Sequence, residues 1–462
     1  MKWLVYLRRA VLVEEGKDQI TLSNLPQEQQ KPFLHRFFKL VALNILSNLM
    51  IPIAGLMDTA FLGHLAEVHH LAGVTLAMVV FNYIYWTFGF LRMGTTGMTA
   101  QALGRGDHES VVLIGLRHVA IGLALGLAIL LLQRPIQLLG FAVLSATPEV
   151  KASGQAFYQA LIWGAPATLI NFVLVGWFLG REQSLVVLLL SAVSSGANVL
   201  LDYLFIVQWR WESTGAGCAT AVSQYIMLLV GIVLFCREIE LQQVRSVAHK
   251  LLDSSALKAA FSLNGEILIR TLALVSTFAI FTNLSSVFGT GILTTNAILM
   301  QVVSFGAYFI DGLAFATESL AGIFRGKGTS GELMRLLRIG GVTSLLFGVI
   351  FPTAFILIPQ PLFKLFTNHT EIIAQLSSYV PWLLPVLGVG AIAFMLDGYF
   401  LGLTEGYILR QAMLVSAFIG FTPMAIAAWY FHNNHLLWLS LSLFMVARTV
   451  TLGSQVANTL NN

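Results

Sequence analysis

The stretch Gly176-Trp177-Phe178-Leu179-Gly180 closes a long apolar run and returns in the second half of the chain as Gly398-Tyr399-Phe400-Leu401-Gly402. A second motif is also repeated, since Gly104-Arg105-Gly106 in the first half returns as Arg325-Gly326 in the second. Both pairs stand at the ends of corresponding apolar runs, and their separations along the chain are nearly equal. Two matches at nearly one offset predict that the chain contains two copies of one folding unit.

The composition predicts an integral membrane protein. Of 462 residues, 57% are hydrophobic and 10% charged, and the mean hydropathy is +0.79, far from the balance of a soluble domain. A bilayer requires roughly 20 apolar residues per helix, which leaves room for about twelve spans. We place them near 36–62, 73–99, 111–133, 156–180, 184–207, 215–236, 259–284, 291–322, 336–358, 377–403, 410–430 and 435–457.

The predicted fold is an all-α polytopic membrane protein of twelve transmembrane helices. With six spans in each half, both halves have the same orientation, which predicts two pseudo-two-fold-related lobes around a central cavity. The predicted divisions are an N-terminal tail (1–35), an N-lobe (36–237), an inter-lobe linker (238–258), a C-lobe (259–457) and a C-terminal tail (458–462).

Lys and Arg distribution predicts the orientation. The N-terminal tail and even-numbered loops hold nineteen of these residues, and the odd-numbered loops hold four. Loops on the cytoplasmic side of a membrane carry the excess of Lys and Arg, so both termini are expected in the cytoplasm. The chain is expected to lie in the cell membrane. We expect the first residues to be a retained cytoplasmic tail. A transit peptide is the alternative, against which Glu14, Glu15 and Asp18 count.

Polar residues inside the first half are candidates for ion coupling. Asp58 follows Pro52, a residue that removes a backbone hydrogen bond and predicts a hinge. Asn198 and Asp202 share one face of span 5, and Thr220 lies in span 6. If these spans pack together, two crowded carboxylates cannot both stay ionised cheaply, so the cluster would hold H⁺ or Na⁺. The alternative is that Asp58 lies at the membrane interface and Asp202 is a helix-end charge.

The second half carries a different set of polar residues. Glu266 and Arg270 are four residues apart in span 7 and could neutralise each other, although Arg270 could instead reach Asp311 or Glu318 in span 8. We predict a structural ion-pair network here. Asp397 in span 10 could face the central cavity.

Aromatic residues are candidates for the substrate cavity. The predicted lining residues are Tyr83, Trp86, Phe305, Tyr308 and Phe315. Cys218 and Cys236 lie in apolar runs and indicate neither a disulfide framework nor a zinc motif. No phosphate-binding loop or nucleophile motif is present, so we predict a protein that is not an enzyme, with no metal and no cofactor.

Several segments resemble the multidrug and toxic compound extrusion (MATE) family, and in particular its DinF-like branch. The resemblance spans residues 36 to 457 and is carried by Pro52, Gly55-Leu56-Met57-Asp58-Thr59-Ala60 and Gly63-His64, by Asn198-Val199-Leu200-Leu201-Asp202-Tyr203-Leu204-Phe205-Ile206, by Ala219-Thr220-Ala221 with Ser223-Gln224, and by segments 264–271 and 311–318.

The resemblance implies a two-lobed exporter driven by inward H⁺ or Na⁺. It implies that Asp58, Asn198, Asp202 and Thr220 form the N-lobe cation site. The acidic residues of a C-lobe cation site in another branch have no match, because Glu266 is accompanied by Arg270. That departure favours H⁺ coupling in the N-lobe.

We therefore expect a secondary active antiporter that exports amphipathic organic compounds in exchange for H⁺ or Na⁺. It is expected to be a monomer in membrane lipid with a small organic substrate and no nucleic-acid partner. The alternatives are a lipid or lipid-linked-sugar flippase, which should show more intramembrane cations than Arg92, Arg270 and Arg448, and an exporter of small organic anions. A receptor or channel need not show the duplication.

Overall fold

A computed structural model describes residues 27–65, 67, 69–144, 146–239, 244, 247–251, 253–364, 366 and 370–461. Within these ranges the chain is helical and no strand occurs. Twelve helices are long and apolar enough to cross a membrane, which confirms the predicted fold class. They are α1 (Phe33–Gly63), α2 (His69–Gly104), α3 (His108–Leu131), α4 (Pro148–Gly180), α5 (Ser184–Gln208), α6 (Glu212–Glu238), α7 (Ser254–Val287), α8 (Thr290–Lys327), α9 (Ser330–Leu357), α10 (Glu371–Gly402), α11 (Gly406–Phe431) and α12 (Asn434–Leu460).

Several helices extend beyond the predicted span limits. The helix that contains α1 begins at Gln27 rather than at residue 36, α7 begins at Ser254 rather than 259, and the helix that contains α12 ends at Asn461 rather than 457. Parts of the predicted tails and linker are therefore helical, because hydropathy marks where lipid contact starts and not where a helix starts. The predicted tail before residue 27 lies outside the described residues.

Matching irregularities occur in helices six apart. A 3₁₀ turn occupies Ile162–Gly164 in α4, and another occupies Val380–Trp382 in α10. A π-helical turn occupies Tyr203–Gln208 in α5, and another occupies Ser416–Phe421 in α11. Because α4 corresponds to α10 and α5 to α11, both halves share their departures from regular helix.

Helix packing follows the same duplication. In the N-lobe, α1 packs on α5, α2 and α3 pack on α4, and α6 packs on α4 and α5. In the C-lobe, α7 packs on α11, α8 and α9 pack on α10, and α12 packs on α10 and α11. Each pair in one lobe has its counterpart six helices further along the chain, as a duplicated six-helix unit requires.

The repeated Gly-aromatic motif is a helix-packing motif. A Cβ at Gly176 or Gly180 of α4 would collide with the backbone of α2, and a Cβ at Gly398 or Gly402 would collide with the backbone of α8. Small residues four apart allow two membrane helices to approach closely enough for direct backbone contact. The motif therefore recurs because the same helix crossing is built twice.

The two lobes meet through α8, which packs on α1 and α2. A Cβ on Gly104 would lie 3.0 Å from the Cα of Gly326, and one on Gly326 would lie 2.9 Å from the Cα of Gly104. Beside this crossing, Gln101 Nε2 donates to the Gly402 carbonyl at 3.1 Å and to Thr404 Oγ1 at 3.0 Å. Two equivalent segments thus contact each other across the pseudo-two-fold axis, an arrangement found at two-fold interfaces.

This crossing lies at the face of the bundle on which α1 begins and α12 ends, which we call the termini face. There Arg325 at the end of α8 donates to the Thr459 carbonyl of α12 at 3.2 Å, and the rings of Phe33 and Phe324 lie 6.1 Å apart. The connections α1–α2, α5–α6, α7–α8 and α11–α12 lie on the opposite face.

Candidate cation-coupling site

A pair of carboxyl groups lies inside the N-lobe. Asp58 on α1 and Asp202 on α5 approach each other closely enough for a hydrogen bond between their carboxyl groups. Asp202 is 0% exposed, and neither of its oxygens receives a hydrogen bond from an N–H or O–H group in the described part of the chain. Two such carboxylates repel each other, whereas one proton shared between them turns the contact into a hydrogen bond. The alternative of a solvated helix-end charge does not fit Asp202.

Amide and hydroxyl groups continue from the carboxyl pair into the lobe. Asn198, one helical turn before Asp202, is buried and donates from Nδ2 to Thr220 Oγ1 on α6 at 3.3 Å. Further along, Gln224 donates to Ser194 Oγ at 3.2 Å and accepts from Asn171 Nδ2 at 3.1 Å. The α1, α5 and α6 residues predicted from the sequence are therefore brought together, and Asn171 of α4 joins them.

The arrangement brings several oxygen ligands together inside the N-lobe. The carboxylates, the Asn198 carbonyl and the Thr220 hydroxyl are the donor types that a hard cation such as Na⁺ accepts, and the carboxylates also accept H⁺. None of the salt bridges found among the described residues joins an arginine or lysine to Asp58 or Asp202. A small cation is thus the natural partner of this charge.

Pro52 lies in α1 between the carboxyl site and the lobe interface. The helix runs continuously from Gln27 to Gly63, yet proline supplies no N–H, so the carbonyl four residues earlier lacks its helical partner. Nearby, Ser195 of α5 donates to the Met50 carbonyl at 3.1 Å. The α1 backbone near Pro52 is therefore hydrogen-bonded by α5, the helix that carries Asp202.

Asp397 in the C-lobe is enclosed by arginines. It forms salt bridges with Arg270 of α7 and Arg448 of α12, and its Oδ1 accepts from Arg448 Nε at 3.3 Å. Asp397 is 4% exposed and Arg448 is 0% exposed. The interpretation that Asp397 faces an open cavity is therefore wrong, because two guanidinium groups occupy the space around its carboxylate.

Two further acids of the C-lobe also lie near arginine. Arg92 of the N-lobe helix α2 forms a salt bridge with Glu318 of α8 at 3.2 Å, and its guanidinium lies 4.0 Å above the Phe315 ring. Asp311 is partly buried and lies within electrostatic range of Arg92, Arg270 and Arg448. The network therefore balances three acids against three arginines, one of which crosses the lobe interface.

Glu266 and Arg270, which could have neutralised each other, belong to separate ion pairs. Glu266 instead accepts from Arg410 on α11, with 3.0 Å between Arg410 Nη1 and Glu266 Oε2. Arg270 turns to Asp397 on α10. Residues four apart in a helix can contact each other, but Arg270 meets a buried acid on a neighbouring helix, where a charged hydrogen bond is stronger because water is largely excluded.

The predicted cavity aromatics fall into two groups. Tyr83, Trp86 and Phe305 are 50%, 57% and 44% exposed. Tyr308 and Phe315 are partly buried, and each contacts the other lobe, Tyr308 by accepting from Asn48 at its carbonyl and Phe315 through Arg92. The first group lies on the surface of the helix bundle, while the second helps to join the lobes.

Sequence reasoning missed three partners, namely Arg92, Arg410 and Arg448. The sequence marks Arg92 and Arg448 as intramembrane cations but does not identify their acidic partners. Charge balance offered a signal, since the three arginines inside spans equal in number the three acids Asp311, Glu318 and Asp397. Which acid meets which arginine depends on helix packing and cannot be read from spacing along one helix.

These features define a class of protein, the two-lobed polytopic membrane proteins with a buried carboxyl pair in one lobe. The MatE family model matches residues 44–204 and again 267–426. The starts of the two matches are separated by nearly the same stretch of chain as their ends. One family unit therefore occurs twice in the chain, in agreement with the predicted duplication.

Relatives and solved structures agree with this match. The chain is 31% identical to DNA damage-inducible protein F of Escherichia coli (strain K12), over 89% of each chain. It is 24% identical to the probable multidrug resistance protein NorM of Thermotoga maritima, over 80% of this chain and 79% of that one. A solved structure of a multidrug resistance MATE family transporter in an outward-facing conformation superposes with a TM-score of 0.83 at 19% identity, covering 92% of this chain and 96% of the other.

The chain belongs to the MatE family, the multidrug and toxic compound extrusion transporters. The predicted resemblance to this family and its DinF-like branch is thereby confirmed.

Proposed function

We propose that this protein is a secondary active antiporter that exports amphipathic organic compounds in exchange for H⁺. The observation that carries the proposal is the pair of Asp58 and Asp202 in the N-lobe, to which no arginine or lysine in the described ranges forms a salt bridge. Two carboxyl groups without a fixed cation change their charge when a proton enters or leaves. Na⁺ is the alternative coupling ion, because the same oxygens suit it.

Helix α1 connects the proposed coupling site to the lobe interface. It carries Asp58 beyond Pro52, and before Pro52 it packs against α8, where a Cβ on Gly312 would collide with Ile45. Protonation of the pair removes a repulsion between α1 and α5, and the segment beyond Pro52 then bends. A cation shifts such an equilibrium only by its different affinity for the two states, so H⁺ and substrate compete.

The C-lobe network supports placing the coupling in the N-lobe. Each of its buried acids lies near an arginine, and a fixed guanidinium stabilises the ionised carboxylate and opposes proton uptake. Asp397, held by Arg270 and Arg448, is the clearest case. These residues therefore stabilise the C-lobe, while the N-lobe carries the exchangeable charge.

The substrate class rests on family membership and on the half-exposed aromatic residues Tyr83, Trp86 and Phe305. Apolar and aromatic surfaces bind amphipathic molecules by shape. The excess of Lys and Arg in the N-terminal tail and even-numbered loops supports termini on the cytoplasmic side, and the proposed location is the cell membrane. Its relatives in Escherichia coli and Thermotoga maritima carry names for DNA-damage induction and probable multidrug resistance.

Efflux from proteoliposomes tests the proposal. Under an imposed ΔpH or ΔNa⁺, the protein should export cationic fluorescent compounds faster with ΔpH than with ΔNa⁺. Asp58→Asn should abolish proton-driven efflux while leaving folding intact, because a neutral amide cannot release a proton.

Asp253→Asn is the matched control, since this aspartate caps α7 outside the lipid and asparagine caps a helix equally well. Full proton-driven efflux by Asp58→Asn would show that Asp58 does not couple transport. Transport of lipid-linked sugars or organic anions in place of the cationic compounds would replace the proposed substrate class.

A further inference from the structure

Four ligand-type side chains meet on the face opposite the termini. Glu67 lies between α1 and α2, His69 and His70 begin α2, and Glu212 begins α6. The ligand atoms of Glu67, His69 and His70 all lie within 4.8 Å of one another. Glu212 Oε2 lies 3.1 Å from His70 Nε2. The cluster therefore lies where the first residues of α2 and α6 meet the α1–α2 connection.

The separations that involve His70 Nε2 or Glu67 Oε2 are close to those between neighbouring ligands of a tetrahedral metal ion. His69 Nδ1 lies 3.3 Å from Glu67 Oε2, and His70 Nε2 lies 3.9 Å from the same oxygen. Zinc bonds to His and Glu of about 2.0–2.2 Å place neighbouring ligand atoms of a tetrahedron about 3.3–3.6 Å apart. The observed separations of 3.1, 3.3 and 3.9 Å lie around this range.

The ring of His70 is held in a ligating orientation. Its Nδ1 lies 3.0 Å from Ser213 Oγ and 3.3 Å from Ser153 Oγ, and these two hydroxyls are 2.5 Å apart. The residue is buried at 8% exposure. A second hydrogen-bonded nitrogen is the usual means by which a metal-binding histidine is oriented, and here it directs Nε2 at the two glutamates.

The backbone at Glu212 supports a specific role. Its φ of 51° lies in the left-handed region, which residues other than glycine rarely adopt. Strained positions of this kind persist where surrounding structure requires a certain side-chain placement. Here the strained residue presents its carboxylate to His70.

We propose that Glu67, His69, His70 and Glu212 bind a divalent transition metal ion, with Zn²⁺ the best match to two imidazoles and two carboxylates. The bound ion ties the segment that directly follows α1 to the start of α6. This site is separate from the carboxyl pair and is independent of the proposed antiport.

Metal binding by the purified full-length protein, without a polyhistidine tag, tests the proposal. Co²⁺ should give the visible absorption of a tetrahedral complex with one ion per chain, and Zn²⁺ should displace it. His69→Gln and Glu212→Gln, both at partly exposed positions, should each remove this absorption. Ser213→Ala should weaken Zn²⁺ binding by about 10–100-fold by releasing the His70 ring.

His64→Gln is the matched control, because His64 lies in the same connection but its Nδ1 contacts the Ala60 carbonyl at 2.7 Å. It should bind Co²⁺ as the unaltered protein does. Absence of a tetrahedral spectrum, or a spectrum that Glu212→Gln leaves unchanged, would reduce the four residues to an ion-paired surface cluster.

Discussion

At the residue scale, the acidic side chains of the two lobes have opposite electrostatic surroundings. Among the described residues no arginine or lysine forms a salt bridge with Asp58 or Asp202, whereas Asp397 forms salt bridges with two arginines. Burying an ion is costly unless charges and hydrogen bonds compensate it. The first arrangement favours gain and loss of a small cation, and the second favours a permanent charge.

Asp397→Asn should lower the thermal stability of the protein strongly. It leaves Arg270 and Arg448 buried without their acid, and breaking a buried ion pair costs about 3–5 kcal/mol. Thermal unfolding in detergent measures the loss as a lower Tm. Adding Arg448→Met restores the charge balance, so the double variant should unfold at a higher temperature than Asp397→Asn alone. Equal Tm values for Asp397→Asn and the unaltered protein would contradict this account.

Residue-scale reasoning from sequence succeeded where the partners were polar groups on predicted helix faces. Asn198 and Asp202 lie one turn apart, and the structure brings both to the inner side of α5 with Asp58 and Thr220. It failed for Glu266, whose partner Arg410 is remote in sequence. The periodicity of a single helix specifies which of its side chains share a face. The side chain that each of them contacts on another helix depends on how the helices pack.

At the element scale, glycine pairs determine which helices cross. The motif in α10 lets α8 approach until backbone meets backbone, as the equivalent motif lets α2 approach α4. The duplication was predictable because both glycines and the two aromatic residues between them recur. The crossing of α8 with α10 was not predictable, since the sequence does not specify which helix packs against the motif.

Gly398→Ala should destabilise the protein, because the new methyl group would collide with the Ala314 backbone of α8. The fraction of protein recovered as a monodisperse species, together with its Tm, measures the effect. Gly265→Ala in α7 is the matched control, since nothing lies within 4 Å of its added Cβ. It should be neutral or slightly stabilising, as alanine is the better helix former by about 0.5–1 kcal/mol. An unchanged Tm for Gly398→Ala would mean that α8 and α10 can separate at no cost.

At the scale of the whole molecule, loop charge predicts the direction of the bundle in the membrane. Ser330 begins α9 on the termini face, and Asn433 lies between α11 and α12 on the opposite face, and both are exposed. In a chain without Cys218 and Cys236, a membrane-impermeant maleimide should label Asn433→Cys in intact cells and leave Ser330→Cys unlabelled. Inverted vesicles should give the reverse pattern. Labelling of Ser330→Cys from outside would place the termini on the external side.

The crossing of Gly104 and Gly326 has a mechanical consequence. A transport cycle that opens the lobes at the termini face must separate this crossing, in which Gly104 and Gly326 contact mainly backbone atoms. Few polar bonds, such as those of Gln101, cross it. Short side chains have almost no rotamer freedom to regain or lose, and few hydrogen bonds must be exchanged for water. Separation of this crossing therefore requires few side-chain rearrangements, and the larger cost of opening the lobe interface lies in the Arg92–Glu318 salt bridge.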